Sequence, residues 1–156
     1  RGVQLILLGN GDVRYENLFL ASMERFPDQI AVRIGFDEPL AHYIEAGADI
    51  FLMPSLYEPC GLNQMFSLKY GTIPVVRAVG GLKDTVQQCD VGANSGTGFL
   101  FEPYTPDALL AAVDECLAVY RNRPAWSALQ RRGMGMDFSW NRSAKNYTDL
   151  YRQLVS

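Results

Sequence analysis

The chain has 156 residues, 48% hydrophobic and 20% charged, with a net charge of −3 at neutral pH. That is about one domain with a real core, short for most two-substrate enzymes, and it lacks the basic run that nucleic acid would require. Neither an apolar run of about 18 residues nor a secretory leader pattern is present, so no membrane or secretory role is expected.

The elements follow in chain order. Arg1-Gly2 runs almost at once into an apolar strand at 3–8, a beginning that predicts a piece cut from a longer protein. Gly9-Asn10-Gly11-Asp12 then opens a helix at 14–26. Its Gly-x-Gly hints at a dinucleotide fingerprint, but the third glycine is replaced by Arg14, and a plain tight turn is the better reading. A strand at 30–34 leads into Gly35-Phe36-Asp37-Glu38 and a helix at 39–46. Phe36 reads by residue type as core, as most aromatic residues are, in preference to a platform on which a base stacks. Asp37 and Glu38 suit a helix N-terminus. His42, the only histidine, has no triad partner at a recognisable spacing and reads as structural.

The next strand, 50–53, ends in the most informative turn of the chain, which leads into a helix at 62–70. A strand at 73–76 precedes Gly80-Gly81 and a helix at 82–88, and a strand at 98–101 precedes helices at 106–120, 124–136 and 141–155. Continuous apolar strands alternating with amphipathic helices predict an α/β fold, a Rossmann-like doubly wound parallel sheet, in a single domain over 1–156. Three cysteines (Cys60, Cys89, Cys116) at irregular positions form neither a disulfide framework nor a metal-ligand set, and a reducing compartment fits them. Acidic neighbours such as Asp37-Glu38 are sequential rather than converging, so no metal and no cofactor are expected.

In sheets of this kind ligands sit beyond the carboxyl ends of the strands. There the chain places Glu58-Pro59-Cys60-Gly61-Leu62-Asn63-Gln64. The helix that follows offers unpaired N–H groups and the positive end of its dipole. Gly61 lets a ligand approach the backbone, and Glu58 adds a fixed negative charge. This layout suits a phosphorylated sugar. Helix capping is the plainer role for Glu58, but capping usually falls to Ser, Thr, Asp or Asn. Gly80-Gly81 reads equally as an ordinary tight turn or as a backbone loop beneath a ligand.

These residues together resemble one family, the retaining ADP-glucose-type glycogen and starch synthases. The resemblance runs over essentially the whole chain. It covers Ala46 to Ser55, Tyr57 to Gln64, Leu68 to Val76, Gly80-Gly81-Leu82-Lys83-Asp84-Thr85-Val86 and Met136-Asp137-Phe138-Ser139-Trp140. The Glu-Pro-Cys-Gly-Leu-x-Gln run is its most specific element.

The resemblance implies the nucleotide-sugar-binding, C-terminal half of a two-domain GT-B fold. The implied activity is transfer of glucose from ADP-glucose to the non-reducing end of an α-1,4-glucan with retention of configuration. By the same resemblance Glu58 contacts the transferred sugar and stabilises its developing charge, and the backbone amides of Cys60 and Gly61 meet the sugar hydroxyls. Leu62 and Asn63 hold the diphosphate, Phe36 stacks on adenine, and Gly80 and Gly81 belong to the binding site.

Phe66 stands where the wider family has a second glutamate, as is common in the synthase branch. The family's diphosphate-neutralising Arg and Lys, and its acceptor-side domain with a Lys-x-Gly-Gly loop, have no counterpart here. His42 does not match that domain's histidine. The isolated chain is therefore expected to fold but to catalyse little or nothing, with an N-terminal domain of the same enzyme as its partner. The location implied is cytoplasmic for a bacterial source and the plastid stroma for a plant or algal one. A UDP-sugar-dependent retaining enzyme and a non-catalytic interaction domain are the alternatives.

Overall fold

A computed structural model describes residues 2–155. The chain forms two compact units, one up to Gly47 and one from Ala48 onward.

The first unit is a strand–helix–strand–helix segment: β1 (Leu5–Gly9), α1 (Val13–Arg25), β2 (Ile30–Ile34) and α2 (Glu38–Gly47). β1 and β2 pair in parallel, Leu5 opposite Ile30 and Gly9 opposite Ile34. The turn between β1 and α1 is capped from both sides. Asp12 accepts the Arg14 N–H at 2.9 Å, satisfying a donor that the helix start leaves open, and Glu16 reaches back to the Gly11 N–H of the preceding turn at 2.9 Å. Asp37 does the same for α2, accepting the Leu40 N–H at 3.0 Å and pairing with Arg33 at 3.0 Å. His42 and Glu45 lie one turn apart on α2. Burial pushes the Glu45 carboxyl up from its ordinary value, and the His42 charge partly offsets this.

The second unit carries β3 (Ile50–Met53), α3 (Asn63–Tyr70), β4 (Ile73–Arg77), α4 (Gly80–Thr85), β5 (Phe99–Phe101), α5 (Pro106–Arg121), α6 (Arg123–Met134) and α7 (Trp140–Leu154). Its three strands are parallel in the order β3-β4-β5. The period of two along β4 sends alternate side chains to opposite faces. Ile73 and Val75 join Phe99, Phe101, Ala112, Cys116, Trp126 and Leu129 beneath α5 and α6. Val76 joins Leu82 and Val86 on the α4 side. Both faces of the sheet are thus covered, which is why β4 reads as a continuous apolar run rather than an alternating one. Tyr120 and Trp126 meet edge-to-face with ring centroids 5.1 Å apart where α5 packs on α6.

Helix ends follow their sequence signals. Thr105 caps α5, with Pro106 in its first turn, and Asn122 caps α6. Gly71 closes α3 with φ 84°, the left-handed conformation that glycine adopts most cheaply.

All five expected strands and seven expected helices are present, with local shifts. β1 begins at Leu5 rather than at residue 3. α4 begins at Gly80, so the two glycines are inside the helix rather than ahead of it. It also ends early, at Thr85. Val86 turns extended and enters the core, and Gln88 bridges to Gly98. α7 carries no buried residue; Tyr147, Leu150, Tyr151 and Leu154 form an exposed apolar stripe along it.

Candidate functional site

The turn after β3 lies at the carboxyl edge of the second unit's sheet. Met53 pairs with Val76, and Arg77 with Phe101, so β3, β4 and β5 finish at one level. Arg77, the last residue of β4, ties their exits together. Its guanidinium donates to the Leu56 carbonyl at 2.8 Å, the Ser55 carbonyl at 3.4 Å and the Glu102 carbonyl at 3.0 Å. It also lies 5.3 Å over the Tyr104 ring. One planar cation with five donors in a fixed fork reaches carbonyls on two sides in this way, Nε serving Glu102 and Nη1 serving Ser55 and Leu56.

The Glu58–Gly61 segment rests on the start of α4. The Gly81 N–H donates to the Glu58 carbonyl at 3.3 Å. A side chain on Gly80 would collide with the Glu58 carbonyl, and one on Gly81 would meet the Cys60 Cα at 2.6 Å. The two glycines therefore allow one backbone to lie directly on another. The sequence left open whether this pair was a plain turn or a layer beneath a ligand; what lies against it is the Glu58 turn itself. Gly61 adopts φ 74°, and a Cβ there would meet the Gln64 Oε1 at 2.5 Å.

Among the described residues, the half-buried Glu58 carboxylate makes no hydrogen bond or ion pair, so its charge is uncommitted. Next to it α3 starts without a side-chain cap, Leu62 occupying the cap position. The N–H groups of Leu62, Asn63 and Gln64 meet no backbone carbonyl among the described residues. Uncapped amides at a helix start form an anion site. Cys60 is exposed, with its Sγ 3.6 Å from the Gly61 carbonyl. A carboxylate, open amides and a glycine-lined backbone together can hold a sugar phosphate and stabilise positive charge developing on the sugar.

The structure thus brings Glu58, Cys60, Gly61, Leu62, Asn63, Gly80 and Gly81 together in the second unit. Phe36 belongs to the first. It is 89% exposed, which overturns the expectation from residue type that it is core: Gly35, at φ 137°, turns the chain out of β2 just before it. Sequence reasoning missed Arg77 and Gln64 as parts of this site. For Arg77 the signal was a lone cation ending an apolar run. For Gln64 it was a polar residue at the first turn of a helix that turns out to be completely buried.

A sequence model of the glycosyl transferases group 1 family matches residues 1–131. The chain belongs to this family. As a group 1 glycosyl transferase, it is 61% identical over 155 residues to the glycogen synthase of Anaeromyxobacter dehalogenans, covering 99% of this chain and 32% of that protein. It is 52% identical to glycogen synthase 1 of Methylococcus capsulatus, with 99% and 32% covered. The chain therefore spans about a third of the length of these curated relatives. Among solved structures it resembles the catalytic domain of starch synthase IV from Arabidopsis thaliana, bound to ADP and acarbose. There the TM-score is 0.82 and the identity 32%, over 96% of this chain and 32% of that one. Sucrose-phosphate synthase from Thermosynechococcus elongatus is similar at a TM-score of 0.65 and 28% identity, over 97% and 38%. These likenesses agree with an α/β fold built on parallel sheets, as in the C-terminal half of a GT-B enzyme.

Proposed function

We propose that this chain is the donor-binding part of a retaining glycogen or starch synthase, residues 1–156 forming one Rossmann-like domain of it. ADP-glucose is the donor and an α-1,4-glucan the acceptor. The observation that carries this reading is the uncommitted Glu58 carboxylate beside the uncapped start of α3. It is supported by 61% identity to a glycogen synthase and by likeness to a starch synthase domain solved with ADP.

In this reading the diphosphate sits on the amides of Leu62 and Asn63. The glucose hydroxyls meet the backbone of Cys60 and Gly61, with Gly80 and Gly81 beneath, and adenine stacks on Phe36. The bond from glucose C1 to the phosphate oxygen breaks, its electron pair leaving with ADP. The acceptor's 4-hydroxyl attacks from the same face and gives its proton to the departing phosphate. Glu58 faces the positive charge on the sugar without forming a bond to it, and the α3 amides stabilise the charge that leaves. The remainder of the longer enzyme supplies the acceptor-side domain and the cations for the diphosphate, so the isolated chain transfers little or nothing. A bacterial parent would work in the cytoplasm, a plant or algal one in the plastid stroma.

In the full-length enzyme, Glu58→Gln should lower kcat by about 100-fold or more, the scale of losing a charge aimed at the transition state. The Kd for ADP should stay within about twofold. Near wild-type turnover would remove the assigned role. Calorimetry with ADP and UDP on the same protein tests the base, and tighter binding of UDP would favour a UDP-sugar enzyme.

A further inference from the structure

Gln64 is completely buried, yet nothing in the proposed chemistry uses it. Its Nε2 lies 3.2 Å from the Cys60 carbonyl, 3.0 Å from the Gly61 carbonyl and 3.0 Å from the Thr85 Oγ1. Thr85 in turn donates its hydroxyl to the Gly81 carbonyl at 2.6 Å, and the Gly81 N–H donates to the Glu58 carbonyl. These bonds close a circuit. It leaves the turn at Glu58, crosses α4 through Gly81 and Thr85, and returns through the Gln64 amide to Cys60 and Gly61.

The donor count fits. Thr85 has one proton, spent on Gly81, so its lone pairs are free to accept from Gln64. The amide has two protons shared among three oxygens, while its Oε1 is buried with no hydrogen-bond partner among the described residues. An orphaned buried acceptor is a cost that a leucine of similar size would avoid. Packing alone therefore does not account for glutamine here.

We propose that Gln64 is a positioning residue for transfer: through Thr85 it fixes the Glu58–Gly61 turn on α4, setting where the Glu58 charge and the Cys60 and Gly61 amides stand. The inference rests on the donor-site reading of this turn. Glu58 acts on the transition state, so its misplacement is felt in kcat. The α3 amides that would hold ADP belong to the helix itself and are disturbed less.

The test uses the full-length enzyme with Gln64→Leu, Thr85→Val and Thr85→Ser. kcat and KM for ADP-glucose are measured beside peptide-resolved hydrogen exchange over residues 58–64 and 80–86. Gln64→Leu should lower kcat by about 10- to 100-fold, the scale of a small misplacement of a reacting group, with KM changed less than about threefold. Exchange should rise in both segments. Thr85→Val should do the same more weakly, and Thr85→Ser, which keeps the hydroxyl, should restore both readouts. Faster exchange with unchanged kcat would make Gln64 merely structural and overturn the proposal, as would unchanged exchange in Gln64→Leu. A wild-type enzyme that transfers nothing from ADP-glucose would instead defeat the donor-site reading, and the exchange data would still decide whether the circuit holds the turn.

Discussion

Both units of the chain are written in the same local language, a parallel strand followed by a turn and a helix, yet they are packed very differently. In the second, β4 is buried along Ile73 to Val76, and every buried apolar side chain among the described residues lies beyond Gly47. In the first, Ile6 in the middle of β1 is 54% exposed, and among that unit's described residues only Glu45 is buried. Two strands and two helices have too little interior to seal a sheet, whereas three strands covered by α3, α4, α5 and α6 have enough. The difference teaches where precision resides. The Glu58 turn is mounted on the well-packed unit, and Phe36 stands exposed on the other.

The largest expected effect sharpens this contrast directly. Leu129→Ala, at a site with no exposed surface in the α5–α6 core, should cost about 3–4 kcal/mol, as large-to-small changes in sealed cores do. Ile6→Ala should cost about 1 kcal/mol, because its side chain is already half in water. Denaturant unfolding of the two variants measures both, and equal costs would break the comparison.

A second pair of substitutions contrasts the turns. Gly81→Ala forces a side chain into the Cys60 backbone and should cost about 2–3 kcal/mol by overpacking. Gly9→Ala, which meets nothing within 4 Å, should stay within about 0.5 kcal/mol.

Thiol labelling gives a third measure, within the second unit. Burial holds the Cys116 thiol up at about 12, whereas Cys60 is exposed in the turn. Alkylation near pH 8 should modify Cys60 at least about 100-fold faster than Cys116, since the thiolate is the reactive form. ADP should slow only the labelling of Cys60. Comparable rates at both cysteines would mean that the second unit opens readily.

The smallest structural effect is expected at Phe36. Replacing it with Ala should leave stability within about 0.5 kcal/mol while weakening ADP binding by about tenfold, the scale of one base-stacking contact. Unchanged ADP affinity would remove Phe36 from the donor site.

Much of this was legible in the sequence because it is local. The apolar run of β4, the Thr105-Pro106 start of α5 and the turn from Glu58 to Asn63 announce themselves within a few residues. What was not legible depends on partners far along the chain. The start of α4 could not be placed, because the reason for its glycines is a backbone some 20 residues earlier. The exposure of Phe36 depends on how Gly35 redirects the chain, and residue type alone points the wrong way. Arg77 and Gln64 become visible as parts of the site only once the carbonyls of Leu56, Cys60 and Gly61 are brought to them.

The seating of α4 on the Glu58 turn has a consequence for anyone recombining such domains. The segment from Glu58 to Gln64 and the segment from Gly80 to Thr85 are halves of one part, joined backbone to backbone. A chimera with its crossover inside β4 would take the two halves from different parents, and any difference in either would appear as a misfitted joint. A crossover before Ile50 or after Val86 transfers the part whole.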